Sequence, residues 1–270
     1  MTPKSVPLSS APIPAFVVAR IPPGGSNCCD PSAPSDAARP FGRIQLCVII
    51  IYKATIRSRL AGADEMRKGD QTRQEIICKA APLFNQKGYE GAALSDLMAA
   101  TGLEKGGIYR HFESKQQLAA EAFDYAWNLA LDTRFKGTQT ISNTVDRLKQ
   151  IVRSFWDRRA GLVPGGCPLL NTAIDSDDGN PQLREKARRA LGSWLDRLES
   201  IIEEGRRRQE IRGDIDSAEL ATLIVSTLEG SLMVSRLQRR NEARDWARHH
   251  LEGHLESVRA RRAKPGAENR

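Results

Sequence analysis

A chain of 270 residues, 40% of them apolar, carries enough hydrophobic material for one large or two small domains, which excludes a short peptide or a fibre. Its formal charge of +8 favours an anionic partner, nucleic acid or an anionic membrane surface, because summed positive potential attracts polyanions whatever the fold. Five cysteines, at 28, 29, 47, 78 and 167, are too scattered for a disulfide scaffold and include no C-x-x-C half-site for zinc, so a reducing cytoplasm and no bound metal are expected.

Residues 1–40 carry prolines at 3, 7, 12, 14, 22, 23, 31, 34 and 40, a density that removes helix donors and points to disorder. A signal peptide is the competing reading, but the apolar piece Ala15–Ala19 is short and bracketed by prolines. The longest apolar stretch, Leu46–Tyr52, falls short of the roughly 20 residues that cross a bilayer, so no membrane span is expected. From Met66 the run MRKGDQTRQEII leads basic and polar residues into the first convincing helix. Residues 1–65 therefore read as an upstream extension, disordered or outside the native protein.

Beyond residue 70 the apolar pattern is helical, without sustained strand-like alternation or internal repeat. Thr72-x-x-Glu75, Ser114-x-x-Gln117 and Asp216-x-x-Glu219 match the capping box, and Asn180-Pro181 places proline at a first helical position where its missing N–H costs nothing. Helices are expected to begin near 73, 115, 181 and 217. In the first, Ile76, Ile77, Ala80, Leu83 and Phe84 form a core-facing stripe that ends at Lys87-Gly88, with Pro82 predicting a kink or loosened turn.

Two short helices follow, Leu94 to Ala100 and Glu104 to Arg110, joined by Thr101-Gly102-Leu103: a helix-turn-helix over about 92–112. Leu97, Met98, Ile108 and Phe112 should face inward, Gly102 suits the positive φ at which the first helix stops, and Leu103 can pin the turn. Gly106 and Gly107 weaken the second helix by about 1 kcal/mol each relative to alanine, but let its backbone approach another surface closely. Lys105, Tyr109, Arg110, His111 and Lys115 add donors around the same end, where free helix N–H groups suit phosphate.

The helix from Lys115 continues through Phe123, Trp127, Ala130 and Leu131, and others read over 144–160 and 181–208. Trp127, Phe155, Trp156, Leu170 and Trp194, with Cys167, are candidates to line an apolar, aromatic ligand pocket; ordinary core packing competes at each position. Cys167 lies in the irregular run GLVPGGCPLLNTAIDSDDG before a helical LLNTAI. A thiol at a helix start can be activated, yet no lysine, arginine or histidine adjoins it in sequence, which favours a small buried apolar residue. Ala218 to Leu237 is apolar on more than one face and so wants partners on two sides; 242–259 (Trp246, Leu251, Leu255, Val258) is its neighbour, before a loose basic tail over 263–270. No H-E-x-x-H, G-x-S-x-G, P-loop or dinucleotide fingerprint is present, and His249-His250 point to different helix faces, so neither catalytic residues nor a cofactor or metal are expected.

The stretch TRQEIICKAAPLFNQKGYEGAALSDLMAATGLEKGGIYRHFESKQQLAAEAF resembles the DNA-binding domain of TetR/AcrR-type regulators without a gap, most specifically in LFNQKGYEG and GLEKGGIYRHFESKQQL. The resemblance implies an all-α fold: a three-helix helix-turn-helix domain over 66–116, then a helical effector-binding and dimerisation domain over 117–262. It makes 104–110 the recognition helix, with Lys105, Gly106, Gly107 and Arg110 nearest the bases. Tyr109, His111 and Lys115 become phosphate contacts, with Thr72 and Arg73 beside the DNA backbone. It further implies a palindromic double-stranded operator, a homodimer whose reading heads sit roughly 34 to 36 Å apart, and a small-molecule effector that moves the 115–131 helix as a lever, usually to end repression. A thiol- or electrophile-sensing regulator using Cys167 is the alternative within that fold, and an all-helical enzyme the alternative outside it. The sequence departs from the family at Ala92 and Ala93, where threonine or serine commonly caps the next helix; Ser95 substitutes only if that helix starts later.

Overall fold

The structure, a computed structural model, describes residues 68–156 and 163–260; the readings made for 1–65 and 263–270 fall outside them. The described residues are all-α, with an isolated bridge between Ile211 and Arg259 as their sole β pairing. In chain order the helices are α1 (Lys68–Gly91), α2 (Leu94–Thr101), α3 (Lys105–Tyr109), α4 (Lys115–Phe135), α5 (Thr144–Ser154), α6 (Pro168–Asp175), α7 (Pro181–Arg207), α8 (Ser217–Gln238) and α9 (Glu242–Ser257), with a 3₁₀ turn over Thr138–Thr140.

Most helix starts follow from their caps. Ser114 Oγ accepts from Gln117 N at 3.0 Å, Asp216 Oδ1 from Glu219 N at 2.8 Å, and Asn180 Oδ1 from Leu183 N at 3.1 Å ahead of Pro181. Gln117 reaches back to Glu113 N rather than to the cap residue itself. Thr72 departs from expectation: α1 is already formed at Lys68, and the Thr72 hydroxyl donates to the Lys68 carbonyl at 3.0 Å. Four more helical residues precede it, so its side chain has a carbonyl one turn back and no free amide to cap. At Pro82 the backbone stays helical; only Gly88 leaves the helical region, at φ 73° and ψ 175°. The predicted 144–160 helix stops at Ser154, where the amide of Phe155 closes the last turn on Ile151.

Two cores divide the described residues. The first gathers Ile76, Ile77 and Ala80 of α1, Leu97 of α2, Ile108 and Phe112 around α3, and Leu118, Ala122 and Ala126 of α4. The second takes Phe123, Trp127, Leu131 and Phe135 from α4, Val145, Leu148, Ile151 and Val152 from α5, Trp194, Leu198 and Ile202 from α7, and apolar faces of α8 and α9. Each large aliphatic or phenylalanine side chain among them contributes about 1.5–3 kcal/mol through burial, and each alanine less. Because α4 supplies residues to both cores, it is the rigid element they share, and the first core extends beyond residue 116.

The short α6 and the residues before it are also tied to α1. Asn85 Nδ2 donates to the carbonyls of Pro164 and Gly166 at 2.9 and 3.2 Å, and Asn171 Nδ2 to the Asn85 carbonyl at 2.9 Å. Asp175 accepts the amide of Tyr89 at 2.7 Å, just past the glycine that ends the helical run of α1. α8 has an 18-residue window of mean hydropathy 1.3, enough by length and composition to cross a membrane. Leu220, Ile224 and Leu228 of that helix are instead buried in the second core.

Candidate nucleic-acid interface

The helix-turn-helix forms from local signals. Gly102, at φ 73° and ψ 18°, ends α2 and returns its amide to the Met98 carbonyl at 2.9 Å; a side chain there would strain the left-handed turn. Thr101 locks the same turn, donating to Leu97 O at 2.7 Å and accepting Leu103 N at 3.3 Å, while Lys79 reaches its carbonyl from α1 at 3.1 Å. At the start of α2, Ala93 offers no side-chain cap. Asp96 accepts the Ala93 amide at 3.1 Å and pairs with Lys87 at 2.7 Å, which holds its carboxyl below the usual range. Ser95 takes no part, since the helix begins at Leu94. Ala92 is fully buried, a position with little room for a larger residue.

On this scaffold α3 turns Ile108 into the core, with Phe112 just beyond it, while Lys105, Gly106 and Arg110 are exposed. A side chain at Gly106 would meet nothing within 4 Å, so no packing inside the chain requires glycine there. Gly107 lies against Leu103, where an added Cβ would make ordinary contact at 3.4 Å. Tyr109 and His111 are half-buried. The Lys115 ammonium stands 4.4 Å from the centre of the Tyr89 ring. Burial, then the charges of Glu90 and Tyr109, raise the Tyr89 hydroxyl above its ordinary pKa, so it stays protonated as a donor. Tyr89 is thus a neighbour of this face that sequence reasoning quoted in LFNQKGYEG without giving it a role. Its signal was the glycine before it, which sets where the chain turns.

Arg73 is not a free cation. It pairs with Glu121 at 2.6 Å, donates to the His111 carbonyl at 3.3 Å, and lies 4.6 Å from the centre of the Phe112 ring. It braces α1 against α4 and the end of the reading segment, and Thr72 lies one residue before it.

The six residues named for a ligand pocket do gather, but as packed core. Trp127, Phe155, Cys167 and Trp194 are buried, and Trp156 and Leu170 pack on them. Their centre is the guanidinium of Arg134, 4.3, 4.7 and 5.2 Å from the ring centres of Trp194, Phe155 and Trp127. A small open cleft lies elsewhere, between α1, α4 and α6, lined by Phe84, Tyr89, Phe123, Asn171 and Asp175 among others.

Cys167 has a cation beside it after all, from a distant part of the chain: Arg134 Nη2 is 3.4 Å from its sulfur. The thiol, however, donates to Glu229 Oε1 at 2.9 Å. Full burial, together with that carboxylate, outweighs the arginine and pushes the thiol up to about 12; burial likewise raises Cys78 to about 11. A raised pKa keeps both sulfurs protonated, in keeping with the small buried residue that the sequence favours at 167 over a thiol activated at a helix start. At pH 8, Cys167 should react with iodoacetamide about a thousandfold more slowly than an ordinary cysteine. Peptide mapping before and after denaturant checks this, and rapid labelling of the folded chain would contradict the burial.

Residues 76–122 match the family model for bacterial regulatory proteins of the tetR family, and residues 144–251 that for the tetracyclin repressor-like C-terminal domain. The curated relatives include the HTH-type transcriptional repressor DhaR of Mycobacterium sp. (strain GP1), 27% identical over 179 residues that cover 64% of this chain and 86% of that protein. Among solved structures, a TetR transcriptional regulator from Chloroflexus aurantiacus J-10-FL is 45% identical, with a TM-score of 0.69 over 73% of this chain and all of the other. A TetR-family regulator from Cytophaga hutchinsonii is 35% identical, with a TM-score of 0.70 over 74% of this chain and all of the other. The fold, the helix-turn-helix and these relatives together establish that the chain belongs to the TetR family of DNA-binding transcription regulators, which are not enzymes.

Proposed function

We propose that this protein is a cytoplasmic repressor that holds a palindromic operator as a two-fold dimer and leaves it when a small molecule enters the second core. The observation that carries the reading is α3 itself: exposed Lys105, Gly106 and Arg110, with no packing reason for glycine at 106, on a helix anchored from behind by Ile108 and Phe112. Lys105, Gly106, Gly107 and Arg110 lie nearest the bases in the major groove, where Lys105 and Arg110 read base edges and the two glycines let the backbone come close. Tyr109, His111, Lys115 and Thr72 hold phosphates and set the register. Arg73 keeps its place as the brace behind them.

The dimer is supported by α8 and α9, which leave Leu223, Met233, Leu237 and Trp246 exposed beside small or polar Ser226 and Gly230. A two-fold contact along that face buries them and spaces two reading heads for one turn of DNA. The effector reading is supported by α4, which serves both cores, and by the ties from α6 to α1, so movement of the second core is transmitted to α1 by two routes. The relatives' repressor names favour loss of DNA binding as the response.

Fluorescence anisotropy on duplexes from the gene's upstream region, with scrambled duplex as competitor, tests the reading. Selective, salt-sensitive binding is the expected result, and weak unselective binding would count against it. Lys105→Ala, Tyr109→Ala and Lys115→Ala should each weaken binding, and loss of a pure phosphate contact at Lys115 should flatten the salt slope by about one unit. Unchanged affinity in all three would place the reading surface elsewhere.

A further inference from the structure

The second core holds a charge cluster that packing alone does not explain. Arg134 of α4, Cys167 at the start of α6 and Glu229 of α8 meet in the protein interior, the arginine side chain 5% and the glutamate side chain 11% exposed. A buried arginine ordinarily forms a close, two-pronged pair with its carboxylate. Here the nearest Arg134–Glu229 approach is 3.9 Å, and one carboxylate oxygen is engaged by the Cys167 thiol. Arg134 Nη1, Trp194 Nε1 and Glu229 Oε2 have no hydrogen-bond partner among the described residues. Each such group, shut off from bulk solvent and without a partner among the described residues, costs about 1–3 kcal/mol, more if charged. Nothing in the DNA-binding role requires that cost.

We propose that Arg134 is the anion anchor of the effector site, which takes a small, flat, apolar carboxylate: the carboxylate on Arg134 Nη1, the apolar body against the rings of Trp127, Phe155 and Trp194. This rests on the effector reading above and gives it a ligand chemistry. Four observations select the class. The unpaired groups on the guanidinium side are donors, which call for an acceptor oxygen. The aromatic walls already surround one cation, so a cationic ligand would bring a second positive charge into the same dry cage. Burial raises the Glu229 carboxyl above its ordinary range, with Arg134 and the Cys167 thiol opposing only in part, and its nearest oxygen stands 3.9 Å from the guanidinium, so Arg134 holds this counter-charge loosely and can attract a second anion. Phe155 and Trp194 lie with ring centres 6.0 Å apart and planes 12° from parallel, a pairing that presents flat faces to a flat ligand. The guanidinium occupies the cage centre on a flexible four-bond stem, so a ligand is admitted by shifting that head.

Isothermal titration of the full chain with benzoate, benzamide and benzylamine, which share a ring and differ in charge, tests the assignment. Benzoate should bind at least tenfold more tightly than the other two. Glu229→Gln removes the competing charge and should tighten benzoate by about tenfold. The double variant Arg134→Met, Glu229→Gln leaves no uncompensated buried charge and should abolish benzoate binding while the melting curve shows a folded chain. Benzoate binding that ignores both substitutions, binding of benzylamine or benzamide as tight as benzoate, or no benzoate binding by the native chain and Glu229→Gln, would each overturn it. Operator release is recorded separately. Benzoate held through Arg134 without release removes the effector reading and keeps the anchor; release by a compound indifferent to Arg134 does the reverse.

Discussion

Leu223→Glu combined with Met233→Glu is expected to convert the protein to a monomer and lower its operator affinity by about a hundredfold or more. Both side chains are exposed, at 43% and 45%, although their helix buries Leu220, Ile224 and Leu228 on its opposite side. Solvent-facing apolar residues at this spacing, with Leu237 beyond and Gly230 between, form a seam that one copy alone leaves wet. In the proposed two-fold dimer, two carboxylates on each copy face their own kind across the axis, so the repulsion is doubled by symmetry. Linking two half-site readers ordinarily raises affinity by about 10²–10⁴, and that factor is what the monomer forfeits. Sedimentation at several concentrations, beside anisotropy on the operator, checks both halves. A variant that remains a dimer would put the two-fold contact on another face. One that becomes a monomer and keeps full affinity would show that the second reading head is not needed.

Gly88→Val should destabilise the fold by about 3 kcal/mol, the largest expected effect of a single replacement in the DNA-binding part. Gly88 sits at φ 73° and ψ 175°, a region that side-chain-bearing residues enter only under strain. An added Cβ would also come within 2.3 Å of an Asp175 carboxylate oxygen, the same side chain that accepts the Tyr89 amide. Valine therefore strains the backbone and pushes α6 away from α1 at once. Urea melts of Gly88→Val, Asp175→Ala and the pair separate the two causes. If the strain dominates, the double variant is as unstable as Gly88→Val plus Asp175→Ala; if the clash dominates, Asp175→Ala partly rescues the valine. A stability change under about 0.5 kcal/mol would mean the junction readily reshapes.

The DNA-binding part was legible because its instructions are local. A glycine that must turn left-handed, a serine three residues before its glutamine and an apolar stripe at helical spacing all act within one or two turns of chain. Gly102, Ser114 and the Ile76–Ile77–Ala80 face accordingly stand where the spacing put them. Thr72 and Pro82 mark the limit of that logic. A capping sequence cannot cap a helix that has already started, and a proline is tolerated where the surrounding turns pack into a core that holds them straight. The early stop at Ser154 belongs with these: periodicity continued past a point where the chain left the helix.

The aromatic residues expected in the second part were found by composition and spacing, and they do converge. Their purpose was not visible, because the group at their centre, Arg134, reads in sequence as one more solvent-facing charge on a helix. Cys167 was judged by its sequence neighbours and found without a cation, while its actual neighbours lie 33 and 62 residues away. Sequence alone determined the all-α class, the helix-turn-helix and most helix starts, since hydrogen bonding and burial along a helix depend on residues three or four apart. Only the tertiary structure decided which charges are buried together, that Arg73 braces on Glu121, and that a thiol beside an arginine is kept inert by its burial and by a neighbouring glutamate. Electrostatics in a dry interior depends on distances through space, and helix packing brings together residues that the chain keeps far apart.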